Sequence, residues 1–243
     1  MIIYGRQPVR EALQSGLVRR VIIAKGIEAN TEREFRRLAA KTNLPTDTVA
    51  RISLDQTLGT VRHQGVAAEL EEVSLAEPEA PILLAKKRRE RLLLVVLDQI
   101  QDPRNYGAII RSAEALGAHG VVSEKRRGSP LSAVAVKTSA GATAHLPVTQ
   151  VTNLVRYLKD LKKQNIWIYG ASTASINTVE AIDWDRDIAI VIGSEGRGLR
   201  KLVRETCDDL VSIKLRGQTE SLNASVATGI LLNTIQTKRS KNT

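Results

Sequence analysis

Residues 91–98, RLLLVVLD, form a nearly unbroken aliphatic run closed by a carboxylate. A run this short cannot cross a bilayer. Its lack of polar alternation marks a strand covered on both faces, as in a parallel sheet packed between two helix layers. NIWIYGAS (165–172) and DIAIVIGS (187–194) read as further buried strands, HGVVS (119–123) as a short strand and DLVSIKL (209–215) as another strand. Stretches of helical spacing separate these runs, at 105–117, 153–164, 198–207 and 221–238. In the first of them Ala108, Ile109, Ser112, Ala113 and Leu116 share a face. Strand and helix in repeated alternation predict a mainly parallel α/β domain over 91–243.

Residues 1–75 show a smaller version of the pattern. A helix is expected near YGRQPVREALQSG, with Val9, Ala12 and Leu13 inward, and a strand at 18–26 ended by Gly26. A second helix over 31–42 would bury Phe35, Leu38 and Ala39, and HQGVAAEL (63–70) is a second strand. These elements make a small α/β domain. Between the domains, AEPEAPILLAKKRRE (76–90) reads as a linker because of its prolines, glutamates and basic run. Lys86, Lys87, Arg88 and Arg89 are candidates for phosphate contact, although such runs more often only solvate a connector.

Charge narrows the partners. The net charge is +10 and the isoelectric point is near 9.9, which favours a polyanion, most often nucleic acid. Aromatic residues are only 3% of the 243, too few for a sheet that stacks bases on exposed rings. Cys207 is alone, so no intrachain disulfide and no thiolate zinc site can form. His63, His119 and His145 lack metal-ligand spacing. The N-terminus lacks the pattern of a secretion signal. The expectation is a soluble cytoplasmic protein with no membrane span and no metal.

The usual enzymatic signatures fail. There is no G-x-G-x-x-G, no phosphate-loop motif and no G-x-S-x-G elbow; GASTAS (170–175) does not fit the last. Three loops remain, each leaving the carboxyl end of an expected parallel strand, where open α/β sheets bind ligands. The first, after Asp98, carries Asp102, Asn105 and Arg111; Asp102 or Asn105 could equally be plain helix caps. The second, IVIGSEGRGLRKL (190–202), is a glycine turn that lets backbone approach a ligand. Glu195 at its apex would repel a phosphate and better suits a ligand with hydroxyls or positive charge. The third leads through Ser221, Leu222 and Asn223 into the last helix, and Ser221 could be only its N-cap.

Taken together, NYGAIIR (105–111), GSEGRG (193–198) and SLNASVA (221–227) resemble, in order, the three signature motifs of the SpoU (TrmH) branch of the SPOUT RNA 2′-O-ribose methyltransferases. KTSAGATAHLPV (137–148) is similar to the family segment between the first two. GRQPVREAL (5–13) and HQGVAA (63–68) resemble the substrate-binding domain of bacterial 23S rRNA guanosine 2′-O-methyltransferases. The likeness spans nearly the whole chain. Lys214 departs from it, standing where the family commonly has proline.

The resemblance implies an α/β fold: a C-terminal parallel-sheet SPOUT domain tied in a deep trefoil knot, plus a small N-terminal α/β RNA-binding domain. It implies S-adenosylmethionine as cofactor, held by the backbone around Gly193, Ile213 and Leu222, and a homodimer formed through the knotted domain. It implies methyl transfer to a ribose 2′-hydroxyl. Arg111 would orient a substrate phosphate and stabilise developing charge, since a guanidinium with a pKa above about 12 is a poor base. Asn105 would fix the hydroxyl or Arg111, Glu195 and Asn223 would shape the shared pocket, and Ser221 would be a supporting donor. The partner would be RNA, with a guanosine of 23S rRNA as the expected target. A tRNA guanosine, an rRNA adenosine linked to antibiotic resistance, and a non-catalytic RNA-binding or ribosome-assembly role stay open as alternatives.

Overall fold

The N-terminal segments assemble into a mixed sheet. In the computed structural model, which describes residues 2–14, 18–59, 61–70 and 74–241, the elements run β1 (Ile2–Tyr4), α1 (Arg6–Gln14), β2 (Val18–Ala24), α2 (Ala29–Lys41), β3 (Thr46–Val49), α3 (Arg51–Leu58) and β4 (Val66–Leu70). The sheet order is β1-β4-β2-β3, with β2 and β3 parallel and the other pairs antiparallel. Val9, Ala12, Leu13, Phe35 and Ala39 are buried as their helical spacing requires, while Leu38 is half-buried. β1, β3 and α3 were not expected. β1 is three residues long, and β3 (TDTV) alternates polar and β-branched residues at the sheet edge, so neither gives an apolar run to read.

A second compact unit begins at Ser74. It comprises α4 (Ala80–Arg88), β5 (Leu93–Leu97), α5 (Pro103–Ala115), β6 (Gly120–Glu124), α6 (Ala133–Thr138), β7 (Val148–Val151), α7 (Leu154–Lys162), β8 (Trp167–Ala171), β9 (Ile188–Ile192), α8 (Lys201–Thr206), β10 (Asp209–Val211) and α9 (Ala224–Lys241). The sheet order is β10-β8-β9-β5-β6-β7 and every pairing is parallel. The central strand β5 is buried at all five positions. Strand alternation divides its side chains between two cores. Leu93, Val95 and Leu97 join Ile109, Ile110 and Ile235 on the face covered by α5 and α9. Leu94 and Val96 join Ala85, Leu158 and Val203 on the face covered by α4, α7 and α8. Each such side chain, fully buried, contributes about 1.5–3 kcal/mol of transfer free energy. This two-sided burial is why the strands read as unbroken aliphatic runs.

The segment 76–90 is not a linker. Pro81 sits in the first turn of α4, where its fixed φ favours helix entry. Pro81 and Ala85 are buried, and a Cβ added at Gly120 would stand 2.5 Å from Pro81 Cγ, so α4 lies hard against β6. The amide of Ala76 donates to the Val148 carbonyl at 2.8 Å and the Tyr157 hydroxyl to the Pro78 carbonyl at 3.2 Å. Prolines that resemble linker punctuation instead start a helix of the second unit. The basic residues Lys86, Lys87 and Arg88 occupy its last turn, where they complement the helix dipole. That turn lies at the amino edge of the sheet, beside Glu90 and its hydrogen-bonded partner His119, which precedes β6.

Candidate active site

Three loops leave the carboxyl edge of the sheet and meet at one carboxylate. Asn105 lies in the first turns of α5, after Asp102 has capped the helix by accepting from the Arg104 amide at 3.0 Å. Gly107 lets that helix come close to α6, since a Cβ there would stand 2.3 Å from the Ala135 carbonyl oxygen. Glu195 sits at the tip of the loop after β9. The loop folds back on itself: the Gly198 amide donates to the Ser194 carbonyl at 2.9 Å and the Ser194 amide to the Gly198 carbonyl at 3.2 Å. Gly196 and Gly198 take φ of 77° and 65°, values costly for other residues. A Cβ at Gly193 would stand 2.3 Å from the Gly198 carbonyl carbon, so this position excludes every side chain.

The third loop brings Asn223. Its Nδ2 donates to Glu195 Oε1 at 2.7 Å and to Asn105 Oδ1 at 2.9 Å, while Asn105 Nδ2 donates to the same Glu195 Oε1 at 2.8 Å. Asn223 Oδ1 faces the other way and accepts from the Ser225 amide at 2.9 Å and the Val226 amide at 3.4 Å. Asn223, not Ser221, is therefore the N-cap of α9. One carboxamide both starts the last helix and ties it to the first two loops. Glu195 Oε2 accepts no hydrogen bond among the described residues.

Beside this cluster lies a cavity of about 330 Å³. Gly193, Ile213 and Leu222 line it, as do Glu195 and Ser221. Ile192, Leu215 and Leu231 add apolar surface to a wall that also carries polar groups such as Ser194 and Ser212. Lys214 is exposed while its neighbours Ile213 and Leu215 line the cavity. Ser172, Thr173 and Ala174 after β8 also line the cavity. GASTAS fits no hydrolase pattern, but it too follows the carboxyl end of a parallel strand.

Arg111 stands apart. It is exposed on α5 and makes no hydrogen bond or ion pair among the described residues. It lies six positions along the helix from Asn105, a rise of about 9 Å. Asp98 is also not part of the cluster. It is fully buried and binds Arg200, accepting from its amide at 2.8 Å and its Nε at 2.5 Å. Arg200 Nη2 also lies 3.0 Å from Glu124 Oε2. The buried histidines are structural. His63 accepts from the Gly65 amide at 3.0 Å, and His119 accepts from the Leu93 amide at 3.1 Å, with burial lowering the His119 pKa. Among the described residues no group of three or more His, Cys, Asp or Glu is placed to hold a metal, and no helix is long and apolar enough to cross a membrane.

Residues 92–233 match the model of the SpoU rRNA methylase family, and residues 2–76 match that of the RNA 2′-O ribose methyltransferase substrate-binding domain. An uncharacterized tRNA/rRNA methyltransferase of Mycobacterium ulcerans is 42% identical over 98% of this chain and 77% of its own length. The SpoU methyltransferase AviRb of Streptomyces viridochromogenes, crystallised with AdoMet, is 26% identical with a TM-score of 0.68, covering 99% of this chain and 90% of its own. The TrmH/SpoU tRNA-modifying enzyme of A. aeolicus shares the fold over 66% of this chain and 86% of its own, at 23% identity and a TM-score of 0.58. This chain thus belongs to the SpoU rRNA methylase family of RNA methyltransferases, with an N-terminal unit of the substrate-binding type.

Proposed function

We propose that the protein uses S-adenosylmethionine to methylate a ribose 2′-hydroxyl in RNA, with a guanosine of 23S rRNA as its target in the cytoplasm. The observation that carries this reading is the convergence of Asn105 and Asn223 on Glu195 at the mouth of a cavity edged by the Gly193 loop. The cavity suits the cofactor in size and lining. Its volume lies within the range of about 300–1,000 Å³ usual for small-molecule sites. Gly193 has no room for a side chain, and the apolar Ile213 and Leu222 line the same cavity, which supports its taking an adenosyl moiety.

When bound, S-adenosylmethionine supplies an electrophilic methyl group. The protein's task is then to hold the ribose oxygen in line and to relieve it of its proton. Two amide donors fix Glu195 through Oε1, which leaves Oε2 to accept the hydrogen bond of an incoming hydroxyl. Asn105 and Asn223 orient that carboxylate, and Ser221 adds a hydroxyl at the cavity wall. Arg111, unpaired, always charged and set apart from the Glu195 cluster, holds a substrate phosphate.

The knot and the homodimer belong to the same proposal. The Ser212 amide donates to the Asn177 carbonyl at 2.9 Å, so the chain after β10 runs beside the loop after β8 before it reaches Asn223. That course supports threading. Val134 on α6 and Val226 and Ile230 on α9 are exposed apolar side chains on the two helices that pack against α5. This surface supports pairing of two copies on the face that carries α5, and with it Arg111. The experiment is to map 2′-O-methyl nucleotides by mass spectrometry in rRNA and tRNA from cells with and without the gene. One 23S rRNA guanosine that loses its methyl group is the expected result. Unchanged rRNA with a lost tRNA methyl group would move the target to tRNA, and no change in either would overturn the reading.

A further inference from the structure

We propose that a basic groove between α7 and α8, on the sheet face opposite α5 and α9, grips the phosphate backbone of the RNA substrate. The inference rests on the RNA-methylating reading above and adds a second contact surface on the same unit. The groove encloses about 720 Å³, and its walls carry Arg127, Arg156, Lys159, Lys163, Arg200 and Lys201 against only Glu124 and Asp160.

Both acids are already engaged. Glu124 faces Arg200 at 3.0 Å, and Asp160 binds Lys163 at 2.8 Å. Arg127 and Lys159 have no ion-pair partner among the described residues and are exposed. Arg156 and Lys201 are 84% and 87% exposed, and their nearest carboxylates lie at 4.0 and 3.9 Å. Exposed pairs at that range contribute little. Two cations without an ion-pair partner and two held only in long, exposed pairs thus share one concavity, an arrangement that attracts a polyanion. Leu202, 65% exposed, also borders the groove and offers an apolar surface for a sugar or base.

Position ties the groove to the methyl-transfer cavity. Arg127, Arg156 and Lys201 follow the carboxyl ends of β6, β7 and β9, the edge on which the site loops lie. Helix α8 borders both spaces, with Arg204 lining the cavity and Lys201 the groove. Phosphate contacts of this kind set register without reading sequence. A strand anchored on α7 and α8 would have its position fixed relative to the ribose presented at Glu195. The run Lys86–Arg89 carries the same charge at the opposite edge, which makes it the natural control.

The test measures binding of full-length protein to deproteinised 23S rRNA from 50 to 200 mM KCl. It compares wild type, the variant R127Q/R156Q/K159Q/K201Q and the control K86Q/K87Q/R88Q/R89Q. Each phosphate contact to a single strand contributes about 0.7 to the salt slope, so the groove variant should lose about 3 from it and bind about tenfold or more weakly. Its affinity for S-adenosylhomocysteine should match wild type, which shows that the fold is intact. A slope and affinity equal to wild type, or no further reduced than in the control, would overturn the groove. Methyl transfer to the same RNA is scored separately. If wild type transfers none, the proposed reaction falls, while the slopes still decide where RNA is held.

Discussion

Asn223 performs two separable jobs, and two substitutions should part them. Asn223→Ala removes the cap of α9 together with both bonds to Asn105 and Glu195. Loss of an N-cap costs about 1 kcal/mol, which in a unit of this size lowers Tm by about 2–4 °C. Loss of a donor to a carboxylate costs about 1.5–3 kcal/mol when the bond is well sheltered. Glu195 is exposed, so the lower end applies, which corresponds to about a tenfold fall in turnover. Asn223→Asp keeps an oxygen for the Ser225 and Val226 amides and adds a charge that the helix N-terminus favours. It also sets a second carboxylate against Glu195, where 2.7 Å now separates donor from acceptor. Turnover should fall at least as far as in the alanine variant, while Tm stays within about 2 °C of wild type. The assays are thermal unfolding and transfer of labelled methyl from S-adenosylmethionine to rRNA. An aspartate variant with wild-type turnover, or one that loses turnover only in proportion to Tm, would refute the assignment of Asn223 to the site.

Three further outcomes follow from the geometry. Gly193→Ala places a methyl group against the Gly198 backbone and must open the loop; S-adenosylhomocysteine affinity should drop at least about tenfold by calorimetry, and stability by about 1–3 kcal/mol as for other overpacked sites. Arg111→Ala should abolish methyl transfer and leave S-adenosylhomocysteine affinity nearly unchanged, because Arg111 does not line the cavity; unchanged turnover would remove Arg111 from the mechanism. Burial pushes the Cys207 thiol up to about 12. Iodoacetamide at pH 8 should therefore label the native protein roughly two to three orders of magnitude more slowly than the unfolded chain, and comparable rates would show that the thiol is open.

The parallel sheet was legible because its strands are covered on both faces, which removes polar residues from β5 and β9 and leaves aliphatic runs. Helix α4 was not, because Pro78 and Pro81 send the same local signal whether they break a chain or begin a helix. Only the packing of Pro81 on Gly120 decides between them, and that contact joins residues far apart in sequence. The site divides in the same way. Glu195 and Ser221 could be named from their loops, while Gly193, Ile213 and Leu222 entered as cofactor contacts only through the family resemblance, and all five line one cavity. That Asn223 rather than Ser221 caps α9 could not be read, since either side chain satisfies the local rule. The stretch Ser172–Ala174 carries no motif, and only its position after β8 marks it as part of the cavity wall.

Arg200 explains how a glycine-rich loop can still hold Glu195 in a fixed place. Glycines at 193, 196 and 198 allow the tight reversal, but each also lowers the cost of leaving it. The residue that ends the loop is locked twice over, by its amide and by its guanidinium, to a carboxylate with no solvent exposure. Removing one partner of a buried ion pair costs about 3–5 kcal/mol, although the intact pair adds little net stability over an apolar replacement. Such a pair is therefore a poor glue and a good clamp. Asp98 closes β5 and Arg200 follows β9, the strand beside it, so the clamp fastens the loop to the centre of the sheet. The Asn105 and Asn223 carboxamides then need only aim the side chain that the clamped loop presents.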